Sequence, residues 1–284
     1  MESMAVAPVQ GAIMGYYGSK HRCADWLIGL MPAHSGYCEP YAGSLSVLAR
    51  KPPVKIETVN DLDEDLITFW RVLRDRPDDL ERACALTPHS RREHADTLPL
   101  RPDPYDELEH ARRVWTRLAQ GRAGQLRKTG WRYHATVSGT GSGMARRLDQ
   151  YVGRFAAVAT RLRSVSLESR PALDVIRDYG RDPSMLLYVD PPYLGSTRTG
   201  SSDGYAVEMR ADKDHEDLAA ALHACEAAVV LSGYPSPLYD ALYGDWIRYE
   251  YATWTGQGNS RAGRTEVAWV NRDGDLLSHL EVNA

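Results

Sequence analysis

The sequence predicts an α/β protein with an open, mainly parallel sheet that is interrupted by a mainly helical insert. Short apolar runs alternate with helical patterns before about residue 78 and after about residue 164, which is typical of a parallel sheet with crossover helices. Residues 79–163 lack this alternation and are mainly helical in pattern. Several predicted strands also end in an acidic residue and a turn, where open α/β sheets bind their ligands.

Residues 1–78 form the N-terminal part of the predicted sheet domain. Apolar periodicity, punctuated by Gly and Pro, predicts five elements in this part. They are a helix at 23–31, the end of a strand at 37–40, a helix at 44–50, a strand at 54–59 and a helix at 65–73.

Residues 79–163 are predicted to be an insert, because helical patterns such as ELEHARRVWTRLAQ replace the strands before a glycine-rich stretch at 121–143. The alternation returns in residues 164–284, the C-terminal part of the sheet domain. The elements predicted there are strands at 164–168, 185–189, 227–232 and 266–271, and a helix at 215–224.

The composition indicates a globular protein with a substantial core, since 43% of the 284 residues are hydrophobic. No apolar run is long enough to cross a bilayer, and the first residues lack a signal-peptide pattern. The four cysteines are not closely spaced, which argues against a zinc site and a disulfide framework. We therefore expect no membrane segment, no metal and a reduced, cytoplasmic compartment.

Positive charge is concentrated in the predicted insert, although the net charge of the chain is −4. Residues 80–165 contain sixteen Lys and Arg against eight Asp and Glu, a balance of +8 that leaves −12 for the rest. Fifteen of the sixteen cations are arginine, which suits forked recognition of phosphates and guanine edges. A basic segment between acidic flanks is typical of a nucleic-acid-reading insert, and a solvated helical face is the alternative.

The first predicted strand ends in Glu39, and Pro40, Tyr41 and Gly43 form the turn that follows. An acid followed by a glycine-containing turn is typical of a small-molecule site at the carboxyl edge of a sheet. Gly43 would let the backbone approach a ligand closely, and Tyr41 would form an apolar wall. The turn lacks the full glycine fingerprint of dinucleotide sites, which argues against nicotinamide and flavin cofactors.

The second predicted strand ends at Asn60 and Asp61. A carboxylate at this position can accept hydrogen bonds from both hydroxyls of a ribose. The alternative is that Asp61 or Asp63 is the N-cap of the next helix. Because both strand ends are acidic, we favour an adenosine-containing ligand.

The predicted strand at 185–189 ends in the sequence DPPY. Proline cannot donate to a sheet and holds the residue before it in an extended conformation, so the strand stops at Asp190 and presents Tyr193 just beyond. A simple proline turn is the alternative.

In this order, the motifs YYGSK, EPYAGS, NDLDEDL, DPPY and RTEVAWVN resemble those of the Dam-type site-specific DNA N6-adenine methyltransferases, over nearly the whole chain. The resemblance implies a Rossmann-like S-adenosylmethionine-dependent methyltransferase sheet with a target-recognition insert. It also implies S-adenosyl-L-methionine as methyl donor and double-stranded DNA as substrate. A cytoplasmic enzyme of bacterial or phage origin, with a role such as restriction-modification, fits the same family.

The resemblance also assigns site residues. It places the cofactor on Tyr16, Tyr17, Lys20, Glu39, Pro40, Tyr41, Gly43, Asp61 and Asp190. The catalytic residues would be Asp190, Pro191, Pro192 and Tyr193. The Asp190 carboxylate and the carbonyl of Pro191, a residue without a competing N–H donor, would accept hydrogen bonds from the target amine, and the ring of Tyr193 would stack on a flipped-out base. The chain departs from the family pattern at Ser19, where a second glycine is usual, and at Tyr41, where phenylalanine is usual.

For the insert, we expect basic and aromatic side chains to contact DNA. The candidates are Arg122, Arg127, Lys128, Trp131, Arg132, Arg146 and Arg147. The alternative is a surface loop with one tryptophan in the core. The small residues at 194–204 predict a loop that orders over the flipped base.

Two other functions remain open at this stage. One is methylation of a different amine, such as cytosine N4, an RNA adenine or a protein amide, with the same acceptor geometry. The other is a non-catalytic DNA-binding relative, which would have damaged cofactor motifs. The intact Lys20, Gly43, Asp61 and DPPY argue against that second alternative.

Overall fold

The computed structural model describes residues 7–133, 143–194, 209, 211–254 and 263–272. Within these residues seven strands form one sheet. In chain order they are β1 (Gly36–Glu39), β2 (Ile56–Asn60), β3 (Val165–Glu168), β4 (Met185–Val189), β5 (Ala228–Gly233), β6 (Ile247–Trp254) and β7 (Gly263–Val270). Their order in the sheet is β3-β2-β1-β4-β5-β7-β6, which confirms the predicted α/β class.

The first five strands in the sheet order, β3, β2, β1, β4 and β5, are parallel to one another. Strand β7 runs antiparallel to both β5 and β6. The strand order reverses between β1 and β4, because β2 and β3 lie on one side of β1 and β5 lies beyond β4. Ligands of doubly wound sheets bind in the crevice at such a reversal, at the carboxyl ends of the strands. The topology therefore brings the ends of β1 and β4 together.

Ten helices are described, and they flank the sheet or lie largely within residues 79–163, the predicted insert. They are α1 (Ala24–Gly29), α2 (Glu64–Asp75), α3 (Pro77–Ala85), α4 (Arg91–Ala95), α5 (Glu107–Gln120), α6 (Met144–Val152), α7 (Phe155–Leu162), α8 (Ala172–Tyr179), α9 (Asp212–His223) and α10 (Pro237–Leu242). The predominantly helical character predicted for 79–163 is thus confirmed for its described residues. No helix in the described part of the chain is long and apolar enough to cross a membrane.

Most predicted elements are confirmed to within three residues at each end, and β4 matches its prediction at both ends. The helix predicted at 44–50 is wrong, since this segment is a series of turns. Gly43 and Leu45 adopt φ values of 48° and 52°, in the left-handed region, where a right-handed helix cannot form. Helices α8 and α10 and strand β6 were not predicted from the sequence.

Helices α3, α5, α6 and α7, which lie largely in the segment predicted to be an insert, contribute to the same hydrophobic core as the strands. Helix α5 packs against α2, and the rings of Trp115 and Phe155 meet edge to face with centroids 6.1 Å apart. The indole nitrogen of Trp115 donates to the carbonyl oxygen of Ile13 at 3.1 Å. The N-terminal segment is thereby fixed against the insert.

Part of the positive charge of the insert is internal. Arg117 is buried and donates to the carbonyl oxygens of Arg127 and His94. Arg161 is also buried and makes two hydrogen bonds to the carboxylate of Glu57, at 2.5 and 2.7 Å. These two arginines stabilise the fold, so they do not contribute to a nucleic-acid surface.

Candidate active site

A cavity of about 330 Å³ opens at the carboxyl ends of β1, β2 and β4, at the reversal of strand order. All nine residues predicted to hold the cofactor line it, namely Tyr16, Tyr17, Lys20, Glu39, Pro40, Tyr41, Gly43, Asp61 and Asp190. Of the predicted catalytic residues, Asp190 and Pro192 also line the cavity. Pro191 and Tyr193 are buried beside it. The sheet thus brings segments from across the chain to one cavity.

Gly43 lies where the turn after β1 passes under the ring of Tyr16. Its φ of 48° is unfavourable for residues with a side chain, and a Cβ there would lie 3.1 Å from Cε1 of Tyr16. The Gly43 amide donates to Oδ2 of Asp61 at 2.9 Å. The glycine therefore fits both the turn and the close approach of the aromatic ring.

The Asp61 carboxylate joins the turns after β1 and β2. Its Oδ2 accepts the amide of Gly43, and its Oδ1 accepts the amide of Asp63 at 3.0 Å. Burial raises the pKa of Asp61, and these two hydrogen bonds oppose the rise. Each oxygen can accept a further hydrogen bond, and Asp61 lines the cavity.

The N-cap of α2 is Asp63, whose Oδ1 accepts the amides of Asp65 and Leu66 at 3.1 and 3.3 Å. Of the two acids that could have been the N-cap of the helix after β2, Asp63 is therefore the cap and Asp61 is not. Burial raises the pKa of Asp63 to about 6.

Glu39 is the most buried acid of the cavity, with 1% of its surface exposed. Its Oε1 accepts the hydroxyl of Tyr37 at 2.6 Å and the amide of Leu48 at 2.8 Å. Burial raises the pKa of Glu39 to about 7, although both hydrogen bonds oppose the rise. The bond to Leu48 also holds the turns that replace the predicted helix.

Three serine hydroxyls form a triangle on the cavity wall. The Oγ atoms of Ser19, Ser44 and Ser46 lie 2.8–3.0 Å from one another. The departure from the family pattern at Ser19 therefore adds a hydroxyl to the cavity. Ser44 and Ser46 were not predicted as site residues, since serines in a turn carry little signal in a sequence.

Carboxylates dominate the charge of the cavity. The acids that line it are Glu39, Asp61, Asp63, Asp190, Asp214 and Asp217. Lys20 is the only Lys, Arg or His among its described lining residues. Asp214 and Asp217 belong to α9 and were missed, because nothing in the sequence indicates that this helix reaches the cavity.

The Asp190 carboxylate is held by Lys20. The ammonium nitrogen of Lys20 lies 2.6 and 2.7 Å from the two carboxylate oxygens, and it also donates to the Gly18 carbonyl at 3.1 Å. Oδ1 of Asp190 accepts a further hydrogen bond from Ser232 at 3.0 Å, and the Ser232 and Tyr188 hydroxyls are 3.0 Å apart. Burial raises the pKa of Asp190, and the Lys20 charge opposes that rise.

Tyr193 packs among polar and aromatic groups. Its hydroxyl donates to Oε1 of Glu266 at 2.8 Å. Its ring centroid lies 4.4 Å from that of Tyr234, at an interplanar angle of 55°, and 4.8 Å from the ammonium of Lys20. The hydroxyl of this tyrosine is therefore engaged as well as its ring.

Three residues that lie beside DPPY were not predicted as site residues. Ser232 and Tyr234 end or follow β5, and Glu266 lies in β7. The available signals were the polar sequence SGYP after an apolar strand and a single acid beside the apolar run VAWV. Neither signal indicates which other strand end the residue faces, since strand order is a tertiary property.

The predicted DNA-binding residues lie around the loop after α5 and on α6. Arg122, Arg127, Lys128 and Arg146 are exposed, whereas Trp131, Arg132 and Arg147 are half-buried. Arg127 donates to the side chain of Gln125 at 2.9 Å. Residues 134–142 of this stretch, and 195–204 of the loop predicted to cover the base, lie outside the described residues.

Trp131 belongs to a stack of rings and cations in this loop. Its ring lies 4.4 Å from that of His89 and 5.6 Å from that of Tyr133, both nearly parallel to it. The Arg91 guanidinium lies 4.9 and 5.3 Å from the Trp131 and Tyr133 rings, and that of Arg122 lies 5.4 Å from Tyr133. His89, Arg91 and Tyr133 were not among the predicted residues. Their contribution depends on how the loop folds back on α4.

Comparison with known proteins gives one family. A family model described as D12 class N6 adenine-specific DNA methyltransferase matches residues 16–255, which contain the motifs YYGSK, EPYAGS, NDLDEDL and DPPY. A comparison with curated protein sequences finds no match. Since the model spans most of the chain, this protein belongs to the D12 class of N6 adenine-specific DNA methyltransferases, enzymes that methylate adenine N6 in DNA.

Proposed function

We propose that this enzyme transfers the methyl group of S-adenosyl-L-methionine to N6 of an adenine that is flipped out of double-stranded DNA, with Asp190 as the central acceptor. The observation that carries the proposal is that Asp190 lies at the wall of the cavity formed by the predicted cofactor residues. A target amine on Asp190 and a ligand in the cavity would be neighbours.

The chemistry of the cavity fits this donor. Its volume of about 330 Å³ is at the small end of the range for ligand pockets. Although the raised pKa values of Glu39 and Asp63, about 7 and about 6, leave these two acids partly protonated near neutral pH, the other acids of the lining outnumber its single ammonium. This balance favours a cationic ligand, and a sulfonium is such a group. Asp61 retains acceptor capacity for ribose hydroxyls, and apolar Leu62, Pro171 and Leu173 offer surfaces for an adenine ring.

The serine triangle fits the one anionic group of the donor. The carboxylate of its methionine part would be repelled by the acids of the cavity, whereas the hydroxyls of Ser19, Ser44 and Ser46 could donate to it by rotating away from one another. We propose that the methionine carboxylate lies toward this triangle and the ribose toward Asp61.

When bound, S-adenosylmethionine would supply an electrophilic methyl group, whose bond to the sulfonium sulfur breaks as the bond to N6 forms and leaves a neutral thioether. The Asp190 carboxylate and the Pro191 carbonyl accept the two N6–H bonds of adenine, which orients the amine and favours an available lone pair. Asp190 can then accept the proton that N6 loses as the new N–C bond forms. The buried Tyr193 and Pro192 limit the access of water to this point.

For the DNA, we propose that the exposed Arg122, Arg127, Lys128 and Arg146 neutralise phosphates. The stack around Trp131 offers ring faces and guanidinium groups that suit contact with unstacked bases. The division into residues 1–78 and 164–284 as methyltransferase parts and 79–163 as the recognition insert remains part of this proposal. A cytoplasmic location is also part of this proposal, because the four cysteines are free thiols, as is usual in a reducing compartment.

Methyl transfer to cytosine N4, RNA adenine or a protein amide is the competing activity, because these amines could use the same acceptors. The family match favours adenine N6 in DNA. Mass spectrometry of DNA, RNA and protein digests after incubation with labelled donor separates these substrates.

The test of the function is methylation-aware sequencing of DNA from a methylation-free host that expresses the protein. We expect N6-methyladenine within one short sequence context, and its absence when Asp190→Asn is expressed at the same level. The proposal would be contradicted if the wild-type protein binds labelled donor in vitro but the DNA of the host that expresses it contains no N6-methyladenine.

A further inference from the structure

We propose that Glu266 is a positioning residue that draws the Lys20 ammonium away from Asp190, so that the target amine can bind there. The inference rests on the proposed function and deepens it at the same site. It concerns the cluster formed by Lys20, Asp190 and Glu266, which we call the acid–lysine–acid cluster.

The cluster brings together three distant segments of the chain. Lys20 follows the YYG turn, Asp190 follows β4, and Glu266 lies in β7, on the far side of β5 in the sheet. The side chains are 5%, 18% and 7% exposed. Charges in such a setting interact strongly, because little water screens them.

In the structure, the ammonium favours one of the two acids. Lys20 binds both oxygens of Asp190 at 2.6 and 2.7 Å, whereas Oε1 of Glu266 is 3.7 Å away. Ser232 occupies a further acceptor position on Asp190 Oδ1. The carboxylate that should accept the N6–H of adenine is therefore engaged by a stronger donor.

The target amine and the ammonium thus compete for Asp190. A neutral amine donates weaker hydrogen bonds than an ammonium does. Displacing Lys20 into an apolar space would leave a buried cation without a partner, which is strongly unfavourable. The site needs a second acceptor within a short distance of the ammonium.

Glu266 meets this need. A displacement of about 1 Å would bring the ammonium from 3.7 Å to the 2.7–2.9 Å of a charge-assisted hydrogen bond with Oε1. The Tyr193 hydroxyl already fixes that oxygen by donating to it at 2.8 Å. Tyr193 belongs to the DPPY motif, so the second acceptor is tied to the surface that would meet the base.

The charge of the cluster supports the same role. With both acids ionised, one ammonium faces two carboxylates and the cluster is net negative. Moving Lys20 onto Glu266 leaves the negative charge on Asp190, next to the amine that becomes positive during methyl transfer. With a neutral side chain at 266, the ammonium would stay on Asp190 and cancel its charge.

The test compares the effect of Glu266→Gln on the methyl-transfer rate in the presence and in the absence of the Lys20 ammonium. We expect Glu266→Gln to lower the single-turnover rate at saturating donor by roughly 10- to 100-fold, the range for loss of one charged partner. In a Lys20→Met background the same change should lower the rate by less than about threefold, since there is no ammonium to move. Equal losses in both backgrounds would overturn the proposal.

A binding measurement without turnover covers the case in which Lys20→Met is inactive. In the absence of donor, duplexes that carry adenine or unsubstituted purine at the target position differ only by the N6 amine. We expect Glu266→Gln to weaken binding of the adenine duplex about tenfold more than binding of the purine duplex, as for one lost hydrogen bond to a charged group. Equal weakening of both duplexes would assign Glu266 a merely structural role.

Tyr193→Phe is the matched control. It removes the hydroxyl contact to Glu266 and leaves the carboxylate available to Lys20. Glu266→Gln in the Tyr193→Phe background should therefore still lower the rate, in contrast to the Lys20→Met background. If the Glu266 effect disappears with the tyrosine hydroxyl, Glu266 acts through Tyr193 and the proposal fails. Adenine methylation by the wild-type enzyme is measured separately, so failure of the function itself would be recognised.

Discussion

The ammonium of Lys20 lies 2.6 and 2.7 Å from the two carboxylate oxygens of Asp190, although 170 positions separate these residues in the sequence. The contact joins the YYGSK turn to the DPPY motif. It also places the one cation of the described cavity lining on the acid that we expect to bind the target amine. Substitutions on the donor side and on the target-amine side of the Lys20–Asp190 pair should therefore affect different steps of the methyl-transfer reaction.

Asp190→Asn should abolish most methyl transfer while changing donor affinity only modestly. The amide keeps the size of the side chain but replaces an acceptor-only group with one acceptor oxygen and two donor hydrogens. It would also leave the buried Lys20 without its closest anion. The measurement is single-turnover transfer to a duplex with the recognised site, together with calorimetry of donor binding. Wild-type turnover would remove Asp190 from the chemistry.

Asp61→Asn should weaken donor binding by about 1–3 kcal/mol, the range for a lost hydrogen bond to a charged group. Asp63→Asn is the matched control, because it removes one charge from the same cavity while asparagine remains a good N-cap for α2. Calorimetry of both variants separates a contact to the ribose from a general loss of negative charge. Similar losses in the two variants would contradict the ribose role of Asp61.

Tyr193→Phe and Tyr193→Ala should differ in base capture. Phenylalanine keeps the ring, so we expect much of the activity to remain, with a loss of about 1–3 kcal/mol in the free energy of unfolding because Glu266 loses a hydrogen bond. Alanine also removes a stacking surface worth roughly 1–3 kcal/mol per base. A 2-aminopurine target reports flipping, and chemical denaturation reports stability. If phenylalanine captures the base as poorly as alanine, the hydroxyl and not the ring has the main role.

Replacing Arg127 and Lys128 together with alanine should weaken binding to all duplex sequences and leave donor affinity unchanged. If both contact phosphates, the slope of log affinity against log salt should flatten by roughly 1.8, about 0.9 for each lost contact. Alanine at the exposed Arg177 and Arg181, which lie outside the basic segment, is the control with the same change in charge. Loss of donor binding in the first variant would mean that the segment supports the cofactor cavity.

The pH dependence of stability should report the burial of Glu39. Its folded pKa of about 7 lies above the ordinary value of 4.5, so the folded state binds more protons between these values than the unfolded state does. The stabilising contribution is complete below about pH 4.5 and is lost as the pH rises through about 7. By 1.36 kcal/mol per pKa unit, the loss amounts to about 3 kcal/mol.

Chemical denaturation of the wild-type protein and of Glu39→Gln between pH 5 and pH 8 measures this loss. Glutamine keeps an acceptor oxygen for Tyr37 and Leu48 but cannot ionise. The stability of the wild-type protein relative to the variant should therefore fall across this range. Parallel pH curves for the two proteins would show that Glu39 has no raised pKa.

Much of the fold followed from the sequence, because strand and turn signals are local. An apolar run that ends in two prolines predicted β4 at both ends, and β-branched residues followed by acids predicted β2. The same signals gave Glu39, Asp61 and Asp190 as strand-end acids. The helix predicted at 44–50 was wrong, since its apolar pattern could not reveal that Gly43 and Leu45 adopt left-handed conformations.

Tertiary structure alone decided which of these groups meet. The order β3-β2-β1-β4-β5-β7-β6 places β5 and β7 beside β4, and this order brings Ser232 and Glu266 to the DPPY motif. Burial likewise removed Arg117 from the apparent basic surface. Residue patterns record the local preferences of the backbone and the side that each segment buries. The partners of a buried charge depend on strand order and packing, which no local pattern contains.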